Sequence, residues 1–480
     1  MRRRAALCIA LLLCLLGSFV RPGTAAAEPT PFEEEERRRE LEEEAQRRLL
    51  AGNRWFHFRD LDWGGWLRSG VFWIEDRPDT STVASNDIGL RDADLRFWVH
   101  WKAADTHEFF VRSKMRYFDY SPGDEPGRIE EDWETLEVDQ GYYAWTGRWT
   151  GRDGIWKPVE ARVQAGRQFL QVGNGIAYNQ VNDGVQAVVR YPRWRGTVLA
   201  AETDHDDENI DGSEAVARHS RRRFYGAQAD YLALGRHSPY LYLLHERDHP
   251  DERPNSSREF DYDAIYTGVG SEGEFFHRLV RYQAETIEQR GRSYVRRTTP
   301  IRVLSEPIDA RAFDGGLTWY PEVRGRPSFG ARFAHASGDR DRDSPTITDL
   351  GNEPGTDDNG FLGFGYAFTG YAAGFRLANL RMWHASATFR PFDTSSPVWK
   401  DMEVGVHYLN FAKDTRQGGI SDVRATEPEH EIGYEWASSV NWRPLSDLVV
   451  RLRYGRFSAR DAYPLDTDRD FFGLTATVLF

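Results

Sequence analysis

Apolar residues alternate with small or polar ones along most of the chain after Trp63. The clearest runs are Leu95, Phe97 and Val99, then Phe109, Val111 and Met115, then Val159, Ala161, Val163 and Ala165. The final run sets Phe472, Leu474, Ala476, Val478 and Phe480 against Gly473, Thr475 and Thr477. A period of two describes β-strands with one apolar face. Each run is roughly nine to twelve residues long, enough for a tilted strand to cross a bilayer. The pattern predicts about 18 strands, near 63–75, 90–101, 106–118, 136–147, 158–168, 183–191, 196–203, 222–233, 238–247, 261–269, 274–286, 312–320, 327–336, 375–390, 401–411, 430–443, 447–457 and 469–480. The last strand keeps its alternation to the terminal aromatic, where a soluble domain usually frays.

The connections alternate in length. Residues 102–105, 192–195, 234–237, 270–273 and 444–447 read as tight turns. Between them lie long polar links at 76–89, 119–135, 204–221, 248–260, 287–311, 337–374 and 412–429. Short turns on one side and long loops on the other mark an outer-membrane barrel, as does an even strand count. The predicted fold is all-β: a single closed transmembrane antiparallel barrel over 61–480, with both termini in the periplasm. A propeller or sandwich would share the alternation but not the asymmetry of its links.

Composition sharpens this picture. Mean hydropathy is −0.65, yet 14% of the residues are aromatic. A barrel accounts for both, because only alternate residues face lipid and aromatic girdles flank them. The formal net charge of −13 argues against nucleic acid as a partner. Residues 1–27 read as a signal peptide: Arg2, Arg3 and Arg4, an apolar run from Ala5 to Val20, then Ala25-Ala26-Ala27. Cys8 and Cys14, the two cysteines of the chain, fall inside it. The mature chain therefore offers no disulfide and no thiolate chemistry. Residues 28–60 form a charged segment whose Glu and Arg recur at helical spacing over 33–50, which predicts a short periplasmic helix. The simpler expectation is a spacer outside the barrel; the alternative is a contact for a periplasmic export partner or a plug.

Strand parity predicts what lines the lumen. If Leu95, Phe97 and Val99 meet lipid, Asp94 and Arg96 face inward. The same rule turns Arg68, Arg112, Lys114, Glu160, Arg162, Arg332, Arg451 and Arg453 inward. The facing of 375–390 stays open, because Arg381 shares parity with Trp383. Inward arginines avoid a cost of about 2–4 kcal/mol each at the bilayer midplane. They have two readings: braces paired with lumen acids, or an anion-selective path. A long link such as 337–374 is placed to fold inward as a plug. Asp339, Asp341 and Asp343 have the short spacing of weak Ca²⁺ candidates, against the simpler reading of a solvated loop. No cofactor is implied. Gly-x-Ser-x-Gly and histidine-based zinc motifs are absent, so the chain does not read as an enzyme.

Several segments resemble the alginate export family of outer-membrane proteins. Gly166-Arg167-Gln168, followed by Val172-Gly173-Asn174-Gly175 and Asn182-Asp183-Gly184-Val185, is similar to that family's Gly-Arg-Gln region and Asp-Gly-Val strand. His335-Ala336-Ser337-Gly338-Asp339, Asn379-Leu380-Arg381, Phe389-Arg390-Pro391, Trp442-Arg443-Pro444, Tyr454-Gly455-Arg456-Phe457 and Asp461-Ala462-Tyr463 resemble its later segments, in order. The resemblance implies a barrel of about 18 strands that exports an anionic polysaccharide such as alginate through a cationic constriction. It assigns the path to Arg96, Arg162, Arg332, Arg451 and Arg453, with Asp94 and Glu160 as acid partners and Arg167 as a further candidate. The alternative function is a general anion-selective or solute-specific porin. Outer-membrane lipid and lipopolysaccharide are expected partners in either case.

Overall fold

The computed structural model describes residues 61–480, except 79–86, 105, 123–130, 150–158, 204–219, 251–261, 299–300, 343–354, 393–396 and 466. The predicted signal peptide at 1–27 and charged segment at 28–60 lie outside the described residues. So does Asp343.

Eighteen strands follow one another as β1 (Leu61–Pro78), β2 (Ile88–Ala103), β3 (His107–Tyr120), β4 (Glu131–Trp149), β5 (Val159–Val172), β6 (Tyr178–Tyr191), β7 (Trp194–Glu202), β8 (Ser220–Tyr231), β9 (His237–Pro250), β10 (Asp263–Phe275), β11 (Val280–Thr298), β12 (Ile301–Trp319), β13 (Ser328–Ala336), β14 (Leu380–Phe389), β15 (Glu403–Lys413), β16 (Glu431–Leu445), β17 (Leu448–Ala459) and β18 (Thr467–Leu479). Each pairs antiparallel with its sequence neighbours. The ring closes where β1 pairs with β18, from Trp66↔Leu479 to Pro78↔Thr467. At its edge the Gly65 N–H donates to the Phe480 carbonyl at 2.9 Å, and the Phe480 N–H donates back at 3.0 Å. The barrel is therefore closed, as the alternation predicted, and each predicted strand corresponds to one observed strand.

Several boundaries differ: β4 and β6 each begin five residues before the expected 136 and 183, and three further differences have a local reason. The turn expected at 270–273 is strand. Gly268 and Gly270 leave room for the inward rings of Tyr242 and Tyr240, which a Cβ would overlap. The chain reverses instead at a 3-10 turn, Phe276–Arg278. The long link expected at 287–311 is mostly a hairpin. Its outward face carries Glu288, Arg290 and Arg292, while Ile287, Ile308 and Ala310 are buried inside. The apolar face has changed sides there, so a search for lipid-facing residues misses the strand. The predicted strand 375–390 begins only at Leu380. Its open facing resolves with Arg381 outward beside Trp383, bonded to Asp414 at 2.9 Å.

Leu67, Val71, Leu241, Leu243, Trp436 and Leu474 are exposed on the outer wall. Near the short turns the outer wall carries paired aromatics. Trp101 meets Phe109 with centroids 5.2 Å apart, Trp194 meets Tyr231 at 4.6 Å, and Trp319 meets Phe329 at 5.6 Å. These form one interfacial girdle. Two buried apolar clusters lie on the inner side, against a chain segment that crosses the barrel.

The closing seam is tight. A Cβ at Gly65 would overlap the Arg96 carbonyl and the Phe480 ring. Gly65→Ala is expected to cost about 1–3 kcal/mol. The check is the temperature at which the purified barrel loses its heat-modifiable gel migration, which should fall; an unchanged temperature contradicts the seam geometry.

Candidate functional site

Two connections turn into the barrel and cross it. One is the β5–β6 link, residues 173–177. The other is the β13–β14 link, of which residues 337–342 and 355–379 are described. They pair with each other: the Tyr366 N–H donates to Gly175 at 3.0 Å, the Phe364 N–H donates to Ala177 at 2.9 Å, and the Asn179 N–H donates to Phe364 at 3.2 Å. Gly365 permits this approach, since a Cβ there would overlap the Gly175 carbonyl. On one wall, Phe364 packs edge-on against Phe224 at 5.1 Å, and the Tyr266 hydroxyl donates to the Leu362 carbonyl at 2.7 Å. Toward the opposite wall, Phe375 packs against Phe411 at 5.0 Å and Phe457 at 5.4 Å. The link at 337–379 thus bridges the barrel, as the plug expectation required.

Carboxylates on the wall hook both segments by their backbone. Glu435 of β16 accepts the N–H groups of Tyr371 at 2.6 Å, Ala372 at 3.1 Å and Ala373 at 2.7 Å. Gly370 precedes this nest with φ +107°, which favours glycine. Glu285 of β11 accepts the Asn174 N–H at 2.7 Å and the hydroxyls of Tyr240 at 2.6 Å and Tyr242 at 3.0 Å. Asp314 of β12 accepts the Asn174 side chain at 2.9 Å. Neither Glu435 nor Glu285 is predicted as a site residue. Parity alone could have turned Glu435 inward, because Tyr434 and Trp436 flank it. Its partners are backbone groups over sixty residues away, which no spacing announces.

The family-like motifs at 335–339 and 379–381 form the hinges of the bridge. Asn379, with φ +48°, accepts the Thr415 N–H at 2.7 Å and donates to Gly418 at 2.8 Å. Asp414 bonds His335 at 3.0 Å and Arg381 at 2.9 Å. Burial alone would raise the Asp414 pKa, but those two partners hold it down to about 2.

Most of the predicted inward residues face inward, in two settings. Arg68, Asp94, Arg96 and Arg112 are buried in an ion-pair ladder across β1–β4. Arg68 bonds Asp92 at 2.9 Å and Asp94 at 3.3 Å. Arg96 bonds Asp94 at 3.1 Å and Asp139 at 3.1 Å, and Arg112 bonds Asp139 at 2.7 Å. The Arg96 and Arg112 guanidinium groups also lie 5.9 and 5.5 Å from the Trp66 ring. Lys114 meets Glu137 at 3.0 Å, and Arg162 meets Glu108 at 2.9 Å with its side chain 32% exposed. Glu160 pairs with Arg148 at 3.0 Å near the short-turn end. Arg332 bonds Asp314, Arg451 is half-buried, and Arg453 lies 5.8 Å from the Tyr371 ring of the bridge.

Arg167 is a correction. It shares its face of β5 with exposed Val163, opposite buried Gln168 and Leu170, and bonds Asp183 at 2.9 Å on the outer wall. The motif there serves packing instead: Gly166 has φ +126°, and Gln168 donates to the Gly184 carbonyl at 2.9 Å. Asp339 accepts the backbone N–H groups of Asp341 and Asn359, each at 2.8 Å, and Asp341 meets Arg340 at 3.4 Å. No metal-binding group of three or more His, Cys, Asp or Glu residues occurs among the described residues.

Removing the Glu435 hook leaves three backbone N–H groups without an acceptor, at about 1–3 kcal/mol each where they stay buried. Glu435→Ala should loosen the bridge. Single-channel recordings in planar bilayers are expected to show higher or noisier conductance than the parent barrel; identical traces contradict the hook.

Comparisons with known proteins agree with this geometry. The profile of the family described as "Alginate export" matches residues 75–471. No curated protein matches the sequence. Solved structures similar in fold include Pseudomonas aeruginosa OccK8 (OprE), with TM-score 0.51, 14% identity, and coverage of 87% of this chain and 98% of that one. Pseudomonas aeruginosa OpdL has TM-score 0.52 at 14% identity, covering 87% and 99%. OccK9 (OpdG) of the same organism has TM-score 0.51 at 13% identity, covering 87% and 99%. With a closed barrel of eighteen strands and a family match over nearly all of it, this chain belongs to the alginate export family of outer-membrane β-barrel channels.

Proposed function

We propose that this channel passes an anionic, uronate-type polysaccharide such as alginate outward across the outer membrane. The observation that carries the reading is the set of basic side chains on the inner wall toward the short-turn end of the bridge. Arg162, Lys114, Arg332 and Arg451 are partly exposed there, and Arg453 touches the bridge itself. A guanidinium holds a carboxylate in two-point contact, and neighbouring acids weaken each contact so that a polymer can advance. Barrels of 16–18 strands are wide enough for an aqueous path.

In this reading the short-turn end and both termini lie in the periplasm, where a periplasmic partner delivers the polymer. The long-loop end faces outside. Outward ion pairs on the loop side of the apolar band, such as Arg167–Asp183, Arg223–Glu202 and Arg381–Asp414, meet lipid and lipopolysaccharide headgroups. The dense pairing of Arg68, Arg96 and Arg112 favours a second reading, a solute-specific porin whose wall charges are fixed braces. A polymer path and a solute path differ in what blocks them.

Planar-bilayer conductance separates the two. Oligouronates should block the channel reversibly, and Arg451→Gln with Arg453→Gln should reduce its anion preference without loss of barrel insertion. No response to oligouronates contradicts polysaccharide export. Unaltered selectivity in the double variant makes those two arginines structural.

A further inference from the structure

Two histidines meet on the inner wall where the bridge touches β14 and β15. His384 alternates with Trp383, which is exposed on the outer wall, and His407 with exposed Val406, so both imidazoles point inward. Buried Met382 and Leu409 share their faces. His384 Nε2 and His407 Nδ1 lie 3.1 Å apart, with 29° between the ring planes. One ring nitrogen donates and the other accepts, so at least one imidazole is neutral. The bridge packs on this pair. The Phe368 ring stands 5.5 Å from His384 and 5.7 Å from His407, and the Tyr371 ring stands 6.3 Å from His407. Tyr371 also begins the nest whose N–H groups Glu435 accepts, so the histidines and the hook hold one stretch, residues 368–373.

The surroundings do little to offset a second positive charge there. On β13, Arg332 stands opposite His384 in register and bonds Asp314. On β14, the next residues of that face are Ser386 and Thr388, which carry no charge. On β15, Glu403 shares the face of His407 and bonds Arg390 at 3.3 Å. On β16, Glu435 lies diagonal to His407, because His407 pairs with Ala437 and Leu409 with Glu435. On β17, Arg453 lies 5.8 Å from the Tyr371 ring. Each acid already holds a cation or backbone donors. Two charged imidazoles at this separation repel, and neither ring nitrogen can accept.

We propose that the His384–His407 pair is a proton-operated latch, which holds residues 368–373 of the bridge against the wall while one ring is neutral and releases them when both rings are charged. Charging both leaves two donors facing each other across 3.1 Å. One imidazole then rotates away, and Phe368 and Tyr371 lose the surface they pack on. A charged His407 also competes for the Glu435 carboxylate, which weakens the hook in the same direction. Both steps take up protons. The latch is therefore closed at neutral pH and opens as pH falls through the histidine range, ordinarily centred near about 6.5. It requires no particular cargo and stands equally for a polymer channel and a solute channel.

Planar bilayers in KCl, with no sugar present, test the latch. Wild type is recorded at about pH 7.5 and about pH 4.5, on either side of an ordinary histidine. Acidification is expected to raise mean conductance and open-channel noise. Carboxylates of the wall also respond at the lower pH, so two variants isolate the pair. His384→Gln/His407→Gln removes both titrating rings and is expected to lose most of the step. His384→Gln alone leaves a single charge at the site, with nothing to repel it across the pair, and is expected to lose most of the step too. That single variant carries the test if the double one does not insert. Wild-type traces that are alike at the two pH values overturn the latch. A full step that survives in either glutamine variant overturns it as well, because other groups then account for the response.

Discussion

No backbone group facing lipid can stay unpaired, and everything else in this structure follows from how the chain meets that requirement. Closing β1 on β18 supplies the missing partners of both edge strands. Closure then divides every strand into an outer and an inner face. The outer face is apolar in the membrane and charged toward the long loops. The inner face can hold polar groups without contacting lipid, so it carries the ion pairs, the bridge and its hooks.

The bridge shows how a barrel of this width keeps an ordered interior. A segment inside a lumen has backbone donors that no strand neighbour satisfies. Here the wall supplies acceptors: Glu435 for residues 371–373 and Glu285 for Asn174. Backbone pairing between the two segments and apolar packing add to these, with Phe364 against one wall and Phe375 against the other. Burying a carboxylate is costly unless it is hydrogen-bonded, and these two accept three bonds each. The arginine ladder obeys the same rule. Arg68, Arg96 and Arg112 are buried because Asp92, Asp94 and Asp139 are buried with them or beside them.

The barrel was legible in the sequence because period two reports directly on a wall that is apolar on one side. It failed where that condition lapsed. At 287–311 the wall rises past the lipid, and the apolar residues Ile287 and Ile308 turn inward to meet the bridge. At 270–273 glycines read as a turn, whereas they serve neighbouring tyrosines. Inward facing of Arg96, Arg332 and Arg453 followed from parity alone. Their partners did not, because Asp139 and Tyr371 come from other parts of the chain. Arg167 was drawn in by its motif and not by parity, and the motif proved to be about Gly166 and Gln168. The hooks stayed hidden because their acceptors meet backbone, and backbone leaves no mark in composition.

The proposed function requires an acidic sugar polymer to pass through this barrel, alongside the bridge and the basic side chains of the wall. Efflux of a fluorescently tagged oligouronate from vesicles bearing the purified protein tests that claim most directly, with a neutral glucan oligomer of equal length as the reference. The account predicts that the oligouronate leaves faster than the glucan. Equal or slower efflux would contradict it.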